Sequence, residues 1–161
     1  MLSFTRKTDY ALVALARLAE EAGSENGGDQ EVLSARKIGN QYGIPLPVLM
    51  NILKDLVKGG LVRSARGAQG GYSLAKSAEN ITVAHVIESI EGPVKFLPCC
   101  EEDEALACRE CRLHPRCPIT DSVRTLNGYL NDYLNRITLA DLVAGRIQTP
   151  GKAQTLGRGI S

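Results

Sequence analysis

The chain has 161 residues and no Trp, only two His and two Met, and 4% aromatic residues. It also lacks a dominant charge: 19 Lys and Arg oppose 18 Asp and Glu, a net +1. No apolar run approaches the roughly 18 residues that a membrane-spanning helix needs, so a transmembrane segment is excluded. The opening string MLSFTRKTDYALVALARLAEE is broken by acids and an Arg, and no small-residue cleavage site follows. That is not the form of a secretory signal, and a reducing cytoplasm is the expected location. There, five Cys are not a disulfide framework. What is present in quantity is aliphatic: 43% of residues are apolar, enough for a real core in one domain, or one domain with an appendage.

The near-zero net charge hides a segregation. From Leu33 to Lys76 the bases are Arg36, Lys37, Lys54, Lys58, Arg63, Arg66 and Lys76, against Asp55 alone, which leaves +6. The balancing acids lie on both sides, at Glu20, Glu21, Glu25, Asp29 and Glu31, and at Glu101, Glu102, Asp103 and Glu104. A local basic surface with an acidic remainder is the footprint of a nucleic-acid-binding module. An ordinary solvated face would also fit the charge alone, so the elements beneath it matter.

Their order predicts a winged helix-turn-helix. A helix is expected from Thr8 to Ala22, with Thr8 as N-cap, Asp9 in its first turn, and Tyr10, Val13, Ala14 and Leu18 on its apolar side. The string GSENGG breaks the chain at 23–28. Ser34 caps a short helix, Ala35 to Gln41, that Gly43 ends. Pro45 and Pro47 open another, which runs to Lys58 with Leu49, Ile52, Leu53 and Leu56 inward. Then the period changes. Leu61 to Ala65 and Gly71 to Leu74 are extended runs joined by the basic, Gly-rich tip Arg66-Gly67-Ala68-Gln69-Gly70. Another helix begins at Thr82, with Val83, Val86, Ile87 and Ile90 on one face, and Gly92-Pro93 ends it.

Beyond it, Cys99 to Cys117 has no period and is expected to be a loop. Pro118 to Arg136 is expected to be the longest helix. Its apolar residues Ile119, Val123, Leu126, Leu130, Tyr133 and Ile137 recur at spacings of 4, 3, 4, 3 and 4, a narrow heptad seam suited to a second copy of the chain. A wider stripe would suit burial in the chain's own core. A short helix follows from Thr138. The expected division is therefore 1–92 as the winged domain, 93–117 as the cysteine loop, 118–147 as the dimerisation helix with its end helix, and 148–161 as a disordered tail. The fold class is mainly α, with a small two-stranded wing and a long C-terminal dimerisation helix.

In such a module the second helix enters the major groove. Its candidate readers here are Pro47, Met50 and Asn51. Asn51 has the donor and acceptor for adenine, while Pro47 and Met50 can touch thymine methyls. Lys54 and Lys58 would hold phosphates, giving affinity without sequence information. In the wing, the glycines let the backbone approach DNA. Arg66, with Gln69 beside it, is placed for the narrow minor groove.

The cysteines stand in CCEEDEALACRECRLHPRC, as Cys99, Cys100, Cys108, Cys111 and Cys117, with His114 among them. Such density in a cytoplasmic chain points to a metal or cofactor. Cys108 and Cys111 could clip zinc, completed by Cys117 and His114 or by Cys99 or Cys100. Thiolates equally suit an iron–sulfur cluster. Nucleophilic catalysis would need one activated Cys with an oriented His and an oxyanion site, and one short loop offers no sign of these. The flanking charges argue against inert buried thiols. His85, beside the apolar face of its helix, reads as a partly exposed helix residue.

Several strings together resemble the IscR/NsrR-type iron–sulfur-cluster winged-helix regulators, and within them the regulators of SUF cluster assembly. These are Thr8-Asp9-Tyr10-Ala11-Leu12, GIPLPVLMNILKDLVKGGLV from Gly43 to Val62, Arg66 to Leu74, Ile90-Glu91-Gly92-Pro93, the cysteine loop, and Ile137 to Leu142. They reach nearly everything except the tail. The resemblance implies a homodimeric bacterial regulator, not an enzyme, with a cluster held by three Cys and a fourth, different ligand. Cys111 and Cys117 match the family's second and third Cys. Cys100 or Cys99 is the favoured first, with Cys108 as rival. The His that sometimes follows the last Cys would fall at Thr120, so it is absent here. Asp9 matches the position of the Asp that serves as fourth ligand, from the partner subunit, in NsrR-like members. His114 is the alternative, and Asp9 also serves as a plain first-turn acid.

The expected function is therefore transcriptional regulation by a homodimer on a palindromic operator, with no membrane partner. A 2Fe–2S or 4Fe–4S cluster would gate DNA binding, by shifting the two reading heads, in the control of iron–sulfur assembly or a related stress response. The rivals are a zinc-bound or thiol redox-sensing winged-helix regulator, and an iron–sulfur carrier without a DNA role.

Overall fold

The computed structural model describes residues 4–23, 32–67, 70–97, 100 and 116–147. Helix α1 spans Arg6–Ala22, α2 Ala35–Tyr42 and α3 Leu46–Lys58. Strands β1 (Val62–Ala65) and β2 (Gly71–Leu74) form an antiparallel hairpin in which Val62 faces Leu74 and Ala65 faces Gly71. A short 3-10 turn at Ala78–Asn80 leads to α4 (Val83–Glu91), and α5 (Thr120–Arg136) and α6 (Leu139–Val143) complete the order.

Helix α1 starts one turn earlier than the sequence suggests. Its cap is Thr5, whose hydroxyl accepts the Lys7 N–H at 3.2 Å. Thr8, expected at that position, is buried and donates its hydroxyl to Glu91 at 2.7 Å. The same carboxylate oxygen accepts the Thr5 hydroxyl at 2.6 Å and the Thr5 N–H at 2.9 Å. A partner at the far end of α4 thus satisfies groups that local pattern assigns to a cap. The buried face of α1 is Ala11, Ala14, Leu15 and Leu18, a helical i, i+3, i+4, i+7 set, and Tyr10 and Val13 are only half-buried.

The core is aliphatic, as the scarcity of aromatics requires. Its large, fully buried side chains include Leu15, Leu33, Ile38, Leu49, Ile52, Leu53, Leu56, Leu61, Ile81 and Leu139. Ser34 caps α2 by accepting the Lys37 N–H, and Gly43 ends it with φ +66°, a conformation other residues adopt only at a cost. Ile44 then closes the turn: it is buried, and its N–H donates to the Gly39 carbonyl at 2.9 Å. α2 and α3 are therefore held at a fixed angle.

The wing carries a third, one-residue rung. Leu33 and Tyr72 exchange backbone hydrogen bonds of 2.9 and 2.8 Å, which ties the hairpin to the start of α2. This explains Gly71, where a Cβ would meet the Leu33 carbonyl oxygen at 2.7 Å. At the other end, Val83 donates to the Ile137 carbonyl (2.9 Å) and Leu139 to that of Ile81 (2.7 Å), so the C-terminal helices dock back on the head. α6 begins with a full capping box between Thr138 and Asp141.

Helix α5 begins at Thr120, two residues later than expected, and at 17 residues equals α1 in length. Of the expected seam only Val123 is buried. Ile119 is 54% and Leu126 48% exposed, Leu130, Tyr133 and Ile137 are half-buried, and Tyr129, outside the seam, is 68% exposed. Among the described residues no helix is long and apolar enough to cross a membrane.

Candidate nucleic-acid interface and cysteine site

The division of labour on α3 is the one the sequence suggests. Leu49, Ile52, Leu53 and Leu56 are buried, while Pro45, Leu46, Pro47, Val48 and Asn51 are exposed at its N-terminal end and Met50 is half-buried. Pro45 provides no side-chain cap, but its carbonyl accepts both the Val48 and Leu49 N–H groups at 3.0 Å. The reading face is thus apolar at its start and polar only at Asn51.

Arg36, Lys37, Lys54, Lys58, Arg63, Arg66 and Lys76 are all exposed. They sit on α2, α3, the wing and the turn just beyond it, so every base of the +6 window is open to solvent. Part of its charge is engaged: Lys37 lies 3.6 Å from Glu21 and Lys58 3.9 Å from Asp55, while the Arg63 guanidinium donates to the Leu74 carbonyl at 3.3 Å. The exposed Lys58–Asp55 pair is weak enough to exchange for a phosphate.

An open cleft of about 450 Å³ separates the wing from α2 and α3, lined by Ser34, Met50, Arg66, Gly67 and Tyr72 among others. Tyr72 bridges it by donating its hydroxyl to the Met50 sulfur at 3.8 Å. Sequence reasoning overlooked this link, although alternation along β2 sets Tyr72 on the same face as Leu74. Gln69, expected at the wing tip, lies outside the described residues.

Of the expected ligands, Cys100, Cys117 and Asp9 are described. Cys99, Cys108, Cys111 and His114 lie outside the described residues, and within these no three ligating side chains are gathered for a metal. Cys100 and Cys117 are half-buried free thiols. The Cys100 Sγ faces the Val123 carbonyl at 3.8 Å, and the Cys117 carbonyl accepts the Thr120 hydroxyl at 3.3 Å. Both ends of the cysteine stretch are therefore fastened to the first turns of α5. Thiolates of this kind suit soft metals and iron–sulfur clusters. Asp9 is exposed in the first turn of α1.

The segment that leads into the cysteines lies along α5. The Phe96 N–H donates to the Asn127 Oδ1 at 2.8 Å, and the Asn131 Nδ2 donates to the Val94 carbonyl at 3.2 Å. The sequence reading passed over these residues, yet Asn127, Asn131 and Asn135 recur every four positions, which places them in a row along one side of a helix.

Residues 4–145 match the family model Rrf2, described as an iron-dependent transcriptional regulator. The rrf2-like HTH-type transcriptional regulator of Rhodobacter capsulatus is 33% identical over 140 residues, covering 87% of this chain and 91% of that protein. The HTH-type transcriptional regulator IscR of Erwinia tasmaniensis is 32% identical over 142 residues, covering 88% of this chain and 79% of that one. Among solved structures, IscR of T. potens superimposes with a TM-score of 0.63 at 28% identity, covering 92% and 94% of the two chains. CymR, the global cysteine regulator of B. subtilis, does so at 0.63 and 25% identity, covering 91% and 100%. These relatives are regulators, not enzymes, and the winged helix-turn-helix here is theirs. A family model that spans residues 4–145 and a relative 33% identical over 87% of the chain place it plainly: the chain belongs to the Rrf2 family of winged helix-turn-helix transcriptional regulators.

Proposed function

We propose that this regulator acts as a homodimer on a palindromic operator, and that an iron–sulfur cluster held by its cysteine stretch gates that binding. In this reading 1–92 is the DNA-binding unit, 93–117 the cluster loop, and 118–147 the dimerisation arm. Pro47, Met50 and Asn51 read base edges in the major groove, Lys54 and Lys58 hold phosphates, and Arg66, with Gln69, enters the minor groove. The ligands are Cys111, Cys117 and one of Cys100, Cys99 or Cys108, with Asp9 of the partner subunit or His114 as the fourth.

One observation carries the gating. The Cys100 thiol and the Cys117 backbone carbonyl both meet the start of α5, the helix that leaves Ile119, Leu126 and Tyr129 exposed. The family's description as iron-dependent and the similarity to IscR support the same reading. When bound, a cluster supplies a redox-sensitive cross-link between thiolates. The chain's own residues do the rest: the thiols fix the loop, α5 joins the two copies, and the spacing of the two α3 helices sets operator affinity. The regulated process is iron–sulfur assembly or a related stress response.

Anaerobic purification with absorption spectroscopy and iron and sulfide counts tests the cofactor. A brown protein with both elements supports it. A colourless, zinc-containing protein favours a zinc or thiol sensor. Titrating the protein's own promoter with the loaded and the chelated dimer at matched salt tests the gating, and equal affinities would refute it.

A further inference from the structure

Three contacts align the segment before the cysteines with α5. Val94 meets Asn131, Phe96 meets Asn127, and Cys100 meets Val123. As the segment advances the helix retreats by four residues each time, so the two run antiparallel with one fastening per helical turn. The fastenings are chemically matched. An Asn side chain offers one acceptor oxygen and a two-proton donor. Asn127 turns its oxygen to a backbone N–H, and Asn131 turns its amide nitrogen to a backbone carbonyl. The partners fix which end of each amide faces the segment. Asn131 also donates to the Asn127 carbonyl at 3.0 Å, and the Val94 side chain is buried beneath the clamp.

At about 100° per residue, Val123, Asn127 and Asn131 fall within about 80° of each other around α5. Ile119, Leu126, Tyr129, Leu130 and Tyr133 occupy a stripe centred about a third of a turn away. The helix thus holds the cysteine lead-in on one side and presents its unburied apolar residues on the next. Coupling between two sites requires an element that both of them bias. Here that element is α5, which Cys100 touches in its first turn at Val123 and which the lead-in grips one and two turns further on at Asn127 and Asn131.

We propose that Asn127 and Asn131 are positioning residues that convert the state of the cysteine loop into the attitude of α5. This rests on the gating reading above and deepens it. Without the clamp the loop would still gather its ligands, but residues 94–97 would no longer carry its movement to the middle of α5, and the contact at Val123 would act alone.

The test uses the full-length protein, loaded anaerobically and then stripped with a chelator. Asn131→Asp replaces the donor by a carboxylate facing the Val94 carbonyl, and Asn127→Leu removes the acceptor. Asn127→Asp keeps an acceptor, and Asn135→Asp changes a residue whose Nδ2 donates only within α5, to the Asn131 carbonyl. The readout is the ratio of loaded to stripped operator affinity, expected on the order of 5- to 150-fold in the wild type. Asn131→Asp and Asn127→Leu are expected to retain the cluster absorbance and sedimentation of the wild type while the ratio falls toward unity. Asn127→Asp and Asn135→Asp are expected to keep the wild-type ratio, an asymmetry that general loosening of α5 would not produce. Hydrogen exchange at the Phe96 amide should accelerate in Asn127→Leu and not in Asn127→Asp. A wild-type ratio with the clamp broken overturns the inference alone, whereas a wild-type protein with no ratio overturns the gating reading and this inference with it.

Discussion

The reading head and the α5 arm dispose of their apolar residues in opposite ways. α3 buries Leu49, Ile52, Leu53 and Leu56 within 13 residues, whereas α5, four residues longer, buries Val123. The head's core is closed from several directions by α1, α2, the wing, Ile81, Val86 of α4 and Leu139 of α6, all from the same chain. α5 packs against α4, is tied to the segment before the cysteines by polar contacts, and keeps Ile119, Leu126 and Tyr129 exposed. Isolated helices of this length are marginal, and most helical stability comes from packing an apolar face. The difference teaches that the head buries its apolar face within the chain while the arm leaves part of its own exposed, the face to which the proposed function assigns a second copy.

The sharpest way to break that comparison is to remove the same side chain from each region. Leu53→Ala is expected to cost about 2–5 kcal/mol of unfolding free energy, because it deletes a fully buried side chain and leaves a cavity. Urea unfolding followed by circular dichroism measures it. Leu126→Ala is expected to change unfolding of the dilute, separated chain by no more than about 0.5 kcal/mol, yet to weaken self-association, by about 1 kcal/mol or more if Leu126 is a central contact. Sedimentation equilibrium measures that second quantity. If Leu126→Ala destabilised the separated chain as Leu53→Ala does, the arm would be part of the chain's own core and the contrast would fail.

Within the head, the comparison is sharpened by separating reading from holding. Arg66→Ala is expected to weaken operator binding by about 1–3 kcal/mol. Lys54→Ala should weaken operator and unrelated DNA alike and reduce the salt slope by about one. Fluorescence anisotropy across a salt series with both DNAs distinguishes the two. An Arg66 loss of equal size on every sequence would demote the wing to a phosphate holder.

The head was also the more legible region in the sequence. Ser34, Gly43 and Thr82 are local signals with local consequences, and each ends or begins a helix where the sequence indicates. The amphipathic spacing of α3 identified its core residues because one chain supplies everything they touch. What escaped was non-local. Thr8 looks like a cap until Glu91, 83 residues away, claims its hydroxyl. Tyr72 looks like a strand residue until Met50 stands opposite. The Asn row of α5 looks like a solvated face, because nothing in its spacing says that a backbone segment lies against it. The heptad seam mixes both kinds: Val123 turns to the chain itself, while Ile119 and Leu126 do not.

The smallest expected effect concerns the joint between α1 and α4. Three donors from Thr5 and Thr8 converge on one Glu91 oxygen and hold its carboxyl below its ordinary pKa of 4.5, with the Thr5 hydroxyl the main cause and Lys7 a lesser one. A carboxyl depressed on folding stabilises the native state above its unfolded pKa, and that contribution is lost as pH falls through the lower, folded value. Stability should therefore be flat around neutrality on this account and decline below about pH 4.5. Because Glu91 is exposed, solvent screening keeps the effect small. Glu91→Gln should retain an acceptor for the two hydroxyls and remove this carboxyl's share of the acid-side slope, while leaving the neutral-pH stability close to that of the wild type. Thermal unfolding from pH 3 to pH 7 compares the two proteins, the range being chosen to bracket roughly the reference carboxylate pKa. An unchanged acid slope in Glu91→Gln would assign the decline to other carboxylates, and the joint would then hold through its hydrogen-bond geometry alone.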